Sequence, residues 1–241
     1  MKNLIGLTIE GKKITNKTSS EPWPGDFNCY NNKITSIEGA PSSVGGNFYC
    51  YNNQLTSLEG APVSVGGDFS CSDNKLTSLE GAPSSVAGDF YCNHNLISLE
   101  GAPASVGGYF YCSHNNLTSL EGAPASVGGY FGCNHNKLTS LEGAPSSVGG
   151  DFVCSYNQLT SLTGIHKILK QMNGTFYAHG NPLKSNVICL LLVKGCKEVQ
   201  LDNEQVMEIM NRHLKRPVGH LRVLECQSEM LDADLGEWAE L

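Results

Sequence analysis

The chain has 241 residues, with 27 glycines, ten cysteines and a formal net charge of −7, and only 16% of it is charged, against roughly a quarter in ordinary soluble domains. That length holds one compact domain, or one repeat array with a small appendage. Residues 22–182 carry five Lys/Arg against eleven Asp/Glu, a balance that repels polyanions and argues against nucleic acid or an anionic membrane as partner.

Residues 1–21 hold four Lys and two Glu and alternate apolar with polar side chains early on, which predicts a strand-like N-terminal cap. The apolar patch from Leu4 to Ile9 is cut short by Glu10, Lys12 and Lys13. No export signal is expected from it. The longest apolar run, Val187 to Val193, has seven residues, and a membrane helix needs about 20. A soluble, cytoplasmic protein is expected.

From residue 22 to residue 183 one phrase recurs. Phe110 to Gly129 reads FYCSHNNLTSLEGAPASVGG, and its cysteine returns as Cys29, Cys50, Cys71, Cys92, Cys112, Cys133 and Cys154. The spacing is 21 except for one step of 20, where a residue is missing between Asn95 and Leu96. A degenerate eighth copy holds Phe176, Tyr177, Ala178, Asn181 and Leu183. Phe and Cys alternate with variable residues, the period of a strand. An Asn follows three after each Cys, at 32, 53, 74, 95, 115, 136 and 157. Its expected role is a ladder whose stacked amides satisfy backbone groups where the chain leaves the strand. Glu-Gly-Ala-Pro then excludes a helix longer than a turn, so the return path should be extended. No single copy can bury its Phe, Cys, Leu and Val alone. Stacked copies can, and they form one continuous core. Trp23 stands where Val44 stands in the next copy and should seal the first turn.

This phrase resembles the leucine-rich-repeat family, whose core pattern is L-x-x-L-x-L-x-x-N-x-L. Phe48, Cys50, Asn53 and Leu55 fill its last four marked places. The short, Pro-containing form resembles the repeats of bacterial secreted effectors, and the wording LTSLEGAP with VGG is more similar to repeat proteins of large tailed bacteriophages. One departure is Val44, which lies four residues before Phe48 rather than three. The resemblance implies a curved parallel sheet with a concave binding face, and with the extended return path and a helical C-terminal cap the expected fold is an α/β-type solenoid with a non-helical convex side. It does not imply an enzyme. Effectors of this kind can carry a ubiquitin-ligase domain with a catalytic Cys. Here only Cys189, Cys196 and Cys226 lie outside the array, on a tail too short for one.

Residues 184–241 lose the repeat and are expected to be helical. Asp202 can cap a helix with Gln205 as its capping-box partner. Val206, Ile209, Met210 and Leu214 mark one apolar face, and Pro217 stops that helix. Leu221, Leu224 and Leu231 suggest a second helix, and Leu235 with Trp238 a third.

The cysteines read as small buried hydrophobes in place of Leu, with disulfides or a metal ladder as alternatives. No Cys-x-x-Cys pair supports a metal site, and no cofactor is expected. His94, His114 and His135 fall on successive turns. They are either a solvated rim or a metal-binding or pH-sensing row. Thr56, Thr77, Thr118, Thr139 and Thr160 form another column, whose ice-binding reading is disfavoured by the varied residues elsewhere.

The sharper signal is the set of outward residues flanking Phe and Cys. They include Tyr30, Tyr49, Tyr51, Asp68, Asp89, Tyr91, Tyr109, Tyr111 and Tyr130. The core barely varies and this face does, with the Tyr-, Asn- and Ser-rich chemistry of paratopes. These residues, with His94, His114 and His135, are the candidate partner-binding surface. The expected partner is a protein with a basic or partly apolar surface, such as a host factor inhibited or modulated by a phage or bacterial protein. A carbohydrate-binding module and a structural spacer are the rival readings, and Tyr merely covering strand backbone is the plain one. The oligomeric state is left open.

Overall fold

A computed structural model describes residues 7–10, 13–16, 21–163 and 165–240. Leu7–Glu10 and Lys13–Asn16 pair as an antiparallel hairpin, strand-like as the early alternation predicts. How the segment 1–21 seats on the array lies outside the described residues.

The array is a parallel β-solenoid of about eight turns. Each repeat contributes a two-residue strand at its Phe, and Phe27, Phe48, Phe69, Phe90, Phe110, Phe131 and Phe152 pair in register one turn after another. A second parallel ladder runs beside the first, from Ser43–Val44 to Ser147–Val148. The sequence shows no alternating run there, since only Val points inward. The two ladders merge in one long strand, Gln171–Tyr177, where Met172 pairs with Val148 and Phe176 with Phe152. The four-residue step from Val to Phe is thereby explained. Val closes one ladder, a glycine pair follows, and the second ladder starts. At Gly128 a Cβ would overlap the Gly107 carbonyl of the turn before, so stacking at strand distance selects glycine.

Each return path turns at Leu-Glu-Gly-Ala. In the second repeat Ala61 N donates to Leu58 O (2.9 Å), with Gly60 at φ +88°, the left-handed third position of a type II turn. The Ser57 hydroxyl accepts from Glu59 N. A four-residue helix, α1 (Ile165–Ile168), forms only after the last full repeat, where Glu-Gly-Ala-Pro gives way to Thr-Gly-Ile-His.

Inside, the phenylalanines stack ring on ring, with centroids 5.0 to 5.8 Å apart. Trp23 meets Phe27 edge-on at 6.0 Å and bridges to Val44, closing the first turn. All seven repeat cysteines are buried and free. The Cys50 thiol donates to the Ser70 carbonyl of the next turn, and burial pushes the Cys29 thiol up to about 12.

The asparagine ladder is present. Asn115 Nδ2 donates to the Cys92 and Cys112 carbonyls, 3.0 Å each, and its Oδ1 accepts from Leu96 N (2.9 Å). Asn53, Asn74, Asn136, Asn157 and Asn181 repeat the scheme. Two of the expected members leave it. Asn32 is exposed on the first turn, which has no earlier rung to bridge, and donates to Tyr30 O. Asn95 is also exposed, at φ +80°, and donates only to Asn74 O. The missing residue shortens this exit by one, so Asn95 cannot reach inward.

The tail differs from its expectation in three ways. It is not all helical: a short 3₁₀ helix (Val187–Leu192) leads into the strand Lys194–Gln200, which pairs in parallel with Gln171–Tyr177 and covers the last turn. The first helix, α2 (Glu204–Leu214), is capped by Asn203, whose side chain accepts from Val206 N. Asp202 instead accepts from Gly180 N. The second helix, α3 (His220–Asp232), exists, but Leu221, Leu224 and Leu231 point outward, 60–69% exposed. Its buried face is Arg222, Val223, Cys226 and Met230. The apolar spacing of the leucines is that of a helix, but on the side facing away from α2.

Among the described residues, no helix is long and apolar enough to cross a membrane.

Candidate functional site

Strand alternation places the candidate residues on the face opposite the Phe core, in columns along the array. One column lies between Phe and Cys and reads Asn28, Tyr49, Ser70, Tyr91, Tyr111, Gly132 and Val153. The column after Cys starts with Tyr30 and Tyr51, and the column before Phe includes Asp68, Asp89, Tyr109 and Tyr130.

The structure gathers the tyrosines into two clusters. Tyr30 and Tyr51 stack at 4.7 Å, with Tyr49 edge-on to Tyr51 at 6.1 Å. Further along, Tyr91 stacks on Tyr111 at 4.9 Å, and Tyr130 follows at 4.9 Å with Tyr109 against both. Tyr30 (39%) and Tyr109 (45%) are the most exposed of these. Burial, the Asp89 carboxylate and Tyr111 raise the Tyr91 phenol above its usual value, and burial pushes Tyr130 up to about 12. Tyr91 and Tyr130 are therefore neutral hydrogen-bond donors at physiological pH.

Between the clusters lies a cavity of about 380 Å³. Its floor is Ser70 and Ser72, and its walls are Tyr49 and Tyr51 on one side and Tyr91 on the other, with Asp68 and Asp73 at its border. Alternation puts Ser70 and Ser72 among the outward residues, but the sequence reading left them and Asp73 out of the candidate surface. The signal was available, since Ser70 interrupts one aromatic column between Tyr49 and Tyr91, and Ser72 ends the Tyr30–Tyr51 column in the same turn.

Asp68 and Asp89 are not free outward charges, as the sequence reading took them to be. Each spends one oxygen on the backbone of the next turn. Asp68 Oδ1 accepts from Asp89 N (2.9 Å), and Asp89 Oδ1 accepts from Tyr109 N (2.7 Å). Asp26, Asn47 and Asp151 do the same. This side-chain ladder explains why Asp or Asn precedes Phe in five copies. Only the second oxygen of Asp68 and of Asp89 is left for the face, accepting from the Tyr49 hydroxyl (3.3 Å) and the Tyr91 hydroxyl (2.8 Å) respectively.

His94, His114 and His135 are exposed and lie one column further along the strand exit. Their rings stack at 5.9 and 4.4 Å, and Tyr156 continues the row at 4.5 Å. All have positive φ, as do Asn31, Asn52 and Asp73 at the equivalent positions. That left-handed turn favours Asn, Asp and His, so backbone geometry accounts for part of the row. His94 Nε2 lies 3.6 Å from Asp73 Oδ1, joining the row to the cavity border. Among the described residues, no group of three or more His, Cys, Asp or Glu is arranged to hold a metal. The cysteines two residues before these histidines face the core, on the opposite side of the sheet.

No protein-family model matches this sequence, and no curated protein matches it significantly.

Proposed function

We propose that this chain is a leucine-rich-repeat-type binding module, and that its tyrosine-bearing face grips a partner protein. The observation that carries the reading is the contrast between the two sides of one sheet. The inner side repeats Phe and Cys almost without change, while the outer side gathers Tyr30, Tyr49, Tyr51, Tyr91, Tyr109, Tyr111 and Tyr130 into two stacked clusters. Packing of the core explains the first and not the second. Tyrosine supplies large, rigid contact area at low entropic cost. Eight turns at strand spacing span roughly 35 Å, enough for a standard interface of about 800 Å² per partner. Asp68 and Asp89, hydrogen-bonded but negatively charged, favour a basic or partly apolar partner surface. A role in binding a host factor, in the cytoplasm of a bacterium infected by a phage, follows from the family resemblance and is part of the same proposal, as is the absence of catalysis.

The experiment is a pull-down from bacterial lysate with the full chain, read by mass spectrometry and run beside a glycan array. The expected result is a captured protein that is lost with Tyr91→Ala/Tyr111→Ala and kept with Glu80→Ala/Glu121→Ala. A glycan hit with no captured protein would favour the carbohydrate reading, since Tyr beside Asp also suits sugars. Failure of both would favour the structural spacer.

A further inference from the structure

We propose that the cavity at the third turn is a socket for one arginine side chain of the partner protein. Its guanidinium would lie flat between Tyr49 and Tyr91, facing the carboxylates of Asp68 and Asp73. This rests on the tyrosine face being the binding face and names what that face receives.

The shape of the socket follows from the repeat. Rings one turn apart in a column stack directly, as Tyr91 does on Tyr111 at 4.9 Å with planes 7° apart. Tyr49 and Tyr91 share that column two turns apart, with Ser70 between them. Ser70 supplies no ring to that layer, and the Tyr49 hydroxyl reaches toward it to meet Asp68 Oδ2 at 3.3 Å, so aromatic faces and a carboxylate border one opening. Ser70 and Ser72 are 7% and 8% exposed and bring no bulk into the space above them. The column is interrupted again at Gly132, but there the protein fills its own gap. The Tyr130 ring lies over Gly132, where even a Cβ would overlap it. The third turn carries no tyrosine of its own, and an open depression remains over Ser70 and Ser72.

Charge selects the occupant. Two carboxylates border the socket, and no Lys or Arg lines it. Asp68 Oδ2 holds only the long Tyr49 contact at 3.3 Å, so it can accept from a better donor. The Asp73 carboxylate lies 3.6 Å from His94 Nε2. Guanidinium is planar and weakly hydrated, stacks on aromatic faces and donates in the plane to carboxylates. A lysine ammonium has the charge without the plane. A sugar ring or a neutral aromatic side chain could occupy the layer but would leave both carboxylates uncompensated.

The test uses the full chain and small probes. The peptide acetyl-Gly-Arg-Gly-amide is titrated while the ring resonances of Tyr49, Tyr51 and Tyr91 are followed by NMR. The same peptide with citrulline or lysine in place of arginine, and methyl glucoside, are run in parallel. Saturable shifts in the millimolar range are expected for arginine, with at least about fivefold weaker binding for citrulline. Ser70→Tyr, which supplies the missing ring, should abolish the shifts. Asp68→Asn, which keeps the oxygen that accepts from Asp89 N, should weaken them at least about threefold. It serves as the readout if Ser70→Tyr does not fold. The absence of saturable shifts, equal binding of arginine and citrulline, stronger binding of the glucoside, or no effect of Asp68→Asn overturns the socket. If the peptide fails while Tyr91→Ala/Tyr111→Ala still loses the protein partner, the socket is wrong and the binding face stands. If the peptide binds but that double variant keeps its partner, the binding face is wrong, and the partner does not use the socket.

Discussion

The Tyr91 hydroxyl donates to Oδ2 of Asp89 at 2.8 Å, and the other oxygen of that carboxylate caps the Tyr109 amide of the next turn at 2.7 Å. One side chain thus ties the scaffold to the face. Burial is the first cause of the raised Tyr91 phenol, and the Asp89 carboxylate is the second. Replacing Asp89 by Asn keeps an oxygen for the amide and removes the charge. Asp89→Asn is expected to leave stability within about 1 kcal/mol and to lower the Tyr91 phenol pKa, read from its ring carbon by NMR titration. An unchanged Tyr91 titration would show that the contact does not form in solution.

The asparagine ladder predicts unequal costs for one substitution at equivalent places. Asn115→Ala leaves the Cys92 carbonyl and the Leu96 amide without their partner, and takes one of two donors from the Cys112 carbonyl, which Asn136 still serves. At about 1–3 kcal/mol for each unsatisfied group, the loss should reach about 2 kcal/mol or more in urea unfolding. Asn95→Ala removes one bond from an exposed side chain and should cost about 1 kcal/mol or less. Equal losses would contradict the broken ladder at the fourth turn.

The solenoid was legible because its period is strict and its inward residues are large and apolar. Phe, Cys and Leu at fixed spacing leave one way to bury them. The Asn role was legible for the same reason, as a ladder serving backbone groups at the strand exit, but not which carbonyls and amides it serves. What sequence could not supply was the register of short-range contacts. The Ser–Val ladder is two residues long and has no period to detect. The fate of Asn95 depended on a one-residue deletion that flips the side chain outward. The Leu221, Leu224 and Leu231 spacing identified α3 but not its buried side, because α2 packs on the Val223 and Cys226 side. At the candidate site the columns were readable from alternation alone. The double duty of Asp68 and Asp89, and the cavity left by Ser70 and Ser72, appear only once neighbouring turns are stacked.

The thiols are expected to be inert in the folded chain. All ten cysteines are buried, and burial holds the Cys29 and Cys226 thiols up at about 12. Reactivity needs an accessible thiolate. Thiol titration at mildly alkaline pH should label few in the native state and all ten in denaturant. Rapid native labelling of most of them would refute this packing.

Acidification should weaken the fold through His114. Its pKa is lowered from 6.5, first by burial and then by His135 and His94, so the folded chain favours the neutral ring. That contribution is complete above about pH 6.5 and is lost as the pH falls through the lower folded value. His166, also lowered by burial, acts in the same window. The drop in melting temperature from pH 7.5 to pH 5 should be smaller in His114→Gln than in the native chain. An equal drop would mean that the stacked row does not repel on protonation.

The central claim is that a partner protein is held by the tyrosine face. Its most direct test is the affinity of the captured partner for three forms of the chain. Tyr91→Ala/Tyr111→Ala removes two stacked anchors while leaving the core untouched, and anchors of this kind are worth about 2 kcal/mol or more, roughly 30-fold in affinity. The account predicts at least that loss with an unchanged circular dichroism spectrum, and native affinity for Glu80→Ala/Glu121→Ala, whose side chains are exposed on the return-path turns. Full affinity in the tyrosine variant together with a loss in the glutamate variant would contradict it, because the partner would then be held by the opposite side of the solenoid.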